Sequence, residues 1–238
     1  MDISFYNAVV GSGQQQKRLD IIANNIANVN TDGYKYQRGK FVDMLYNNIH
    51  NMRDEQLDEE RAASARVEKT DIDFSQGSVM ESEGKYDFAI HGTGFFAVYD
   101  NEKREIKYTR RGDFRLAEFG ENTFYLTTVG GEFVMDSNGQ AITVDPDDDQ
   151  QVIEPGIYDF INYQGMLAEG GVYYTPVAKN GQPYLNEDAT LWKGYLEKSN
   201  TNLADEFPEI IEAQRAFQAQ LRMITTSDQL EQTINSLR

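Results

Sequence analysis

Two helical apolar stripes, one at each end of the chain, enclose a middle with strand patterning. Phe5, Val9, Leu19, Ile22, Ile26 and Val29 fall three, four or multiples of those apart. That spacing places them on one face of a helix running from Ile3 to Val29, a reach of ~40 Å. Thr31, Asp32 and Gly33 end it, and Gly33 suits a left-handed backbone position. At the other end Leu203, Phe207, Ile210, Phe217, Leu221 and Ile224 follow a 4-3-7-4-3 spacing, with Gln214 at the missing position. This predicts a heptad seam on a helix from about Asp205 onward, continued by Leu230, Ile234 and Leu237. Pro208 is tolerated only in a first turn, or at the cost of a kink. Isolated helices of this kind are marginal in water. The two are therefore expected to pair, with each other or with neighbouring molecules, and to be weakly helical before they do.

Between the ends, residues 34 to 70 are polar and charged apart from Tyr36, Phe41, Met44, Leu45 and Tyr46, and Asn51 to Lys69 read as a loop or mobile arm. From Asp71 to Leu191 the signal is strand. Tyr86–Ile90, Phe95–Tyr99, Thr123–Thr128, Phe133–Met135 and Ala141–Val144 are aromatic and β-branched runs punctuated by Gly and Asn. The expected fold class is α+β. A terminal helical assembly domain (residues 1–33 with 200–238) pairs in a coiled-coil-like way, an extended arm or loop covers 34–70, and an antiparallel β domain covers 71–199.

The formal charge of −17 disfavours nucleic acid, whose binding needs basic surface, and adsorption to an anionic membrane. The absence of cysteine excludes disulfides and thiolate chemistry. Met1 to Val10 does not read as a secretory signal peptide, and no stretch has the ~20 apolar residues of a membrane span. The two histidines, His50 and His91, stand outside any hydrolase or zinc motif. His91-Gly92-Thr93-Gly94 lacks the third glycine and following helix of a dinucleotide loop, so it reads as a turn entering a strand. Asp145 to Asp149 lacks the ligand spacing of a calcium loop, and Arg111-Gly112-Asp113 reads as a β-turn. No catalytic residue, cofactor or metal site is expected.

The informative motif is Ala23-Asn24-Asn25-Ile26-Ala27-Asn28-Val29-Asn30-Thr31-Asp32-Gly33. Four asparagines within seven residues are unusual in a helix. Small Ala23 and Ala27 permit close backbone approach, and buried amides between helices fix register. With Gly194-Tyr195-Leu196-Glu197-Lys198-Ser199-Asn200, Glu212 to Phe217, Phe88 to Phe96 and Tyr108 to Phe114, this motif resembles the signatures of the flagellar rod and hook family. Gln14 to Gln16, Leu19-Asp20 and Phe41 to Tyr46 are similar to its distal rod branch. Glu118 to Asn122 replaces the Asp-Gly turn usual there.

The resemblance implies a structural subunit that polymerises into a helical tube and transmits torque. Its partners would be further copies of itself, other rod proteins, the hook protein and the flagellar export apparatus. The assembly interface would comprise Leu19, Ile22, Ala23, Asn24, Asn25, Ile26, Ala27, Asn28, Leu203, Ile210, Phe217, Leu221 and Ile224. The alternatives are a proximal rod or hook-like paralogue, a β-rich binding module with helical dimerisation ends, and a β-rich hydrolase using paired carboxylates.

Overall fold

The computed structural model describes residues 3–43, 65–120, 123–146, 148 and 151–236. His50, Met44, Leu45, Tyr46, Asp147, Asp149, Leu237 and the charged stretch 51–64 lie outside the described residues. The chain divides into two compact units. One holds residues 1–26, 37–71 and 202–238; the other holds 27–36 and 72–201.

The first unit contains helix α1 (Ile3–Ala27), strands β1 (Gln37–Asp43) and β2 (Ala65–Ile72), which form a two-stranded sheet, and helix α2 (Leu203–Ser236). The strands occupy the two ends of the stretch expected to be an extended arm or loop, 34–70. Their sequences, Gln-Arg-Gly-Lys-Phe-Val-Asp and Ala-Arg-Val-Glu-Lys-Thr-Asp-Ile, carry too few apolar residues to alternate visibly. α1 stops at Ala27, two residues before Val29, where the Asn28 carbonyl accepts from Thr31 N–H at 3.0 Å and starts a turn. α2 begins at Leu203, with the Asn202 side chain accepting from Ala204 N–H at 3.1 Å as an N-cap. Pro208 thus falls in the second turn and lies inside the helix. Its missing N–H leaves the Ala204 carbonyl without the usual helical donor, at an exposed residue.

The second unit is an antiparallel β domain. Its strands are β3 (Val79–Glu81), β4 (Phe88–His91), β5 (Phe95–Asp100), β6 (Glu105–Thr109), β7 (Arg115–Glu118), β8 (Phe124–Thr127), β9 (Phe133–Val134), β10 (Thr143–Val144), β11 (Ile157–Asp159), β12 (Leu167–Glu169), β13 (Tyr173–Thr175), β14 (Tyr184–Leu185), β15 (Thr190–Lys193) and β16 (Tyr195–Glu197). The main sheet runs β10-β8-β9-β5-β6-β13-β12, with β7 on β8 and β11 bridging β5 and β14. Two further pairs, β15–β4 and β16–β3, bring the sequence end of the domain back to its start.

β5 is the central strand and its alternation divides the core. Phe96 and Val98 point into a cluster with Phe88, Ile90, Phe114, Leu126 and Val134, while Phe95 and Ala97 join Tyr108, Phe160, Met166 and Tyr174 on the other face. The glycines before β5 do what the sequence suggested: Gly92 and Gly94 have φ of 114° and 117°. A Cβ on Gly94 would meet Ile157 Cγ2 at 2.6 Å.

Candidate assembly surface and the clasp of the terminal segments

In the first unit the two helices run antiparallel. Gly11 faces Gln220, Arg18 pairs with Glu209 and Glu212 at 3.7 and 3.5 Å, and Asn25 meets Glu206 at 3.3 Å. Residue numbers rise on α1 as they fall on α2, and 11, 18 and 25 are spaced by sevens. Ala8, Ile22 and Asn25 on α1 and Glu206 and Ala213 on α2 are buried. Around them Leu19, Ile26, Leu203, Ile210, Phe217, Gln220 and Ile224 are half-buried. Both stripes therefore have an intrachain partner, where the sequence offered little to hide either against.

Of the positions expected to form a heptad seam, Leu203, Ile210, Phe217 and Ile224 are half-buried and the intervening ones are not. Phe207, Gln214 and Leu221 point outward, with Phe207 56% and Leu221 43% exposed. Glu206, Ala213 and Gln220 take the inner places. On α1, Val9 is likewise exposed and Ala8 buried. The reason is steric. A Cβ added at Gly11 would stand 3.0 Å from the Gln220 side chain, so at this close approach small or hydrogen-bonding residues fit better than Leu or Phe. Ala23, Asn24 and Ala27 lie on the exposed side of α1, and Asn28 is half-buried.

Asn25 sets register within the chain. Its Oδ1 accepts from Gln37 N–H at 3.0 Å, and its Nδ2 donates to Gln37 O at 2.9 Å and Glu206 Oε2 at 3.3 Å. One amide thus ties the end of α1 to the start of β1 and the first turn of α2. Asn25→Ala strands these groups in a buried place. The expected cost is about 1–3 kcal/mol, read as a lower melting temperature of the helical signal; an unchanged melt would remove Asn25 from this role.

The second unit holds a buried clasp, which sequence reasoning missed. Lys35, Arg110 and Glu197 are 0, 3 and 1% exposed. Lys35 Nζ donates to Glu197 Oε1 and to Ser75 O, both at 2.6 Å. Arg110 reaches Glu197 Oε2 at 3.2 Å and Gly92 O at 2.8 Å, and Gly77 N–H donates to Glu197 Oε1 at 2.8 Å. Burial pushes the Lys35 ammonium below the ordinary lysine range, with the Glu197 carboxylate opposing that shift. Around this core Lys198 pairs with Asp32 at 2.6 Å, and Tyr36 N–H donates to Asn200 Oδ1 at 2.7 Å. Gly33 N–H donates to Glu197 O at 2.7 Å. Gly33 has φ of 72°, and a Cβ there would sit 2.4 Å from Arg111 N. These bonds bind the segment after α1 to the strand before α2, and explain why residues 27–36 belong to the β unit.

Chemically the described residues offer little else. No group of three His, Asp or Glu among them could hold a metal, and no helix is long and apolar enough to cross a membrane. The tripeptide Arg111-Gly112-Asp113, expected as a β-turn, forms none: Asp113 bridges Asp87, and Arg111 pairs with Asp113. His91 stacks on Trp192 at 4.7 Å across β4 and β15.

Comparison with known proteins accounts for this arrangement. Residues 5–35 match the family model "Flagella basal body rod protein", residues 89–156 the "Flagellar hook protein FlgE/F/G D1 domain", and residues 193–237 the "Flagellar basal body rod FlgEFG protein C-terminal". Each of the three clasp charges, Lys35, Arg110 and Glu197, falls in a different one of these regions. The chain is 31% identical to the flagellar basal-body rod protein FlgG of Bacillus subtilis, over 99% of this chain and 98% of that one. It is 30% identical to FlgG of Buchnera aphidicola from Acyrthosiphon pisum, over 98% and 99%. It is 29% identical to the rod protein FlgF of Mesorhizobium japonicum, over 99% of both. With both ends and the β domain matched in order, and with identity sustained along the whole length, the chain belongs to the flagellar basal-body rod protein family.

Proposed function

We infer that this structural rod subunit assembles through its terminal helices into a helical tube, in the distal part of the rod, and that the tube carries torque from motor to hook. The observation that carries the reading is the outer surface of α2. Phe207, Ile211 and Leu221 form one exposed apolar row, and Met223, Leu230 and Ile234 another, both outside the seam that α2 shares with α1. A 34-residue helix with two such rows is built to be covered by neighbours. Exposed Ala23, Asn24 and Ala27 on α1 would let a neighbouring backbone approach closely. A head-to-tail contact that does not close produces a helical filament. Coiled-coil-like packing of the seam, contact with the hook protein, and passage through the flagellar export apparatus belong to the same proposal. The relatives named FlgG support the distal position.

The test is Leu221→Asp together with Phe207→Asp. Both side chains are exposed in the subunit, so the β unit should keep its circular dichroism and melting temperature. A charge in an apolar contact between subunits costs several kcal/mol, so rods should not form and cells should not swim. Normal rods from the double variant would exclude this surface from assembly.

A further inference from the structure

The sequence contains two Asn-Gly pairs, Asn138-Gly139 and Asn180-Gly181. Each carries the elements of a self-modification. The glycine backbone nitrogen attacks the asparagine side-chain carbon, ammonia leaves, and a five-membered succinimide closes. Water then opens the ring at one carbonyl or the other, giving aspartate or β-linked isoaspartate. No oxidant or enzyme is required. Glycine matters because no Cβ hinders the approach of its nitrogen.

The fold treats the two pairs differently. Asn180 ends a short 3-10 helix and is fully buried. Its Oδ1 accepts from Val177 N–H at 2.6 Å, and its Nδ2 donates to Asn162 O at 2.7 Å and Gln164 O at 3.2 Å. The hydrogen bonds of that amide that must break for attack are all to backbone, and the residue is fully buried. Asn138 occupies the turn between β9 and β10, where Asn138 and Gly139 are both exposed. Its carboxamide Nδ2 donates to Asp136 Oδ2 at 3.2 Å. Gly139 N–H is engaged by one turn bond, to Asp136 O at 3.1 Å.

We propose that Asn138 is a deamidation site of the folded chain, and that the fold protects Asn180. The product changes the turn. Asp136 Oδ1 accepts from Asn138 N–H at 2.9 Å and Gln140 N–H at 2.8 Å. A new carboxylate would then lie beside Oδ2, where the amide now donates. Isoaspartate would also lengthen the turn that joins the Met135–Ala141 bridge.

The experiment ages the full chain in mildly alkaline buffer, folded and in denaturant, and follows both peptides by mass and by isoaspartate content. In the folded chain the Asn138 peptide should convert about a hundredfold faster than the Asn180 peptide, the factor expected from breaking extra hydrogen bonds before attack. In denaturant the two should convert at similar rates. Asn138→Gln should abolish the fast product and leave the melt unchanged. Conversion of Asn180 in step with Asn138 in the folded chain overturns the proposal. So does an Asn138 as slow as Asn180, or a difference that persists in denaturant.

Discussion

The β unit should unfold in alkali between pH 10 and about 12, with tyrosine ionisation rising in the same step. Burial pushes the hydroxyls of Tyr108, Tyr163 and Tyr173 up to about 12, and that of Tyr174 higher still. The unfolded chain releases these protons near the ordinary value of 10, while the folded chain keeps them. The folded pKa is raised, so the stability these groups supply is complete below pH 10 and lost as pH rises through the folded values. A two-unit shift is worth about 3 kcal/mol. Tyr108, 4% exposed, carries nearly all of that, and the half-buried Tyr163 and Tyr173 carry a part reduced by solvent screening. Tyr174 acts in the same direction. Lys35 acts in the opposite direction. Its pKa is lowered, so its contribution rises with pH up to the unfolded lysine value and cannot cause the alkaline transition. The absorbance of ionised tyrosine and far-ultraviolet dichroism should move together. Full tyrosine ionisation near pH 10 with the β signal intact would show that these hydroxyls are not held in the core.

Glu197→Ala should be the most damaging single truncation in the β unit. It removes the carboxylate that pairs with both Lys35 and Arg110 and leaves two cations more than nine-tenths buried. It also frees Gly77 N–H. Breaking a buried ion pair from one side costs about 3–5 kcal/mol. Glu197→Gln keeps the shape and one acceptor but not the charge, and should lie between. Because Gly33 N–H bonds to the backbone of residue 197 and Lys35 to its side chain, the segment after α1 should loosen before the sheet does. Amide exchange at residues 33–36 is the specific readout, with urea unfolding for the total. Unchanged protection there in Glu197→Ala would mean that backbone contacts alone hold the segment.

The contrast between these residues shows what could be read in advance. Helix periodicity is a local property. α1 and α2 were legible to within a few residues because their stripes repeat over many turns. The aromatic runs around β4, β5, β8, β9 and β10 were legible for the same reason. β12, β13 and β14 were not; β12 and β14 are largely exposed and carry no core-facing run to read. Gly33 stood out because a left-handed position favours one residue type.

Other features depended on contacts distant in sequence. Glu206, Ala213 and Gln220 sit in the seam because Gly11, Arg18 and Asn25 lie opposite, and nothing in their own identity marks them as inward. Lys35 and Glu197 are 162 residues apart and Arg110 and Glu197 are 87 apart. As isolated letters each is an ordinary surface charge. Local sequence determined where the helices and the longer strands form. Tertiary packing decided which of their faces turn inward and which charges are buried, because burial is a property of what a residue meets.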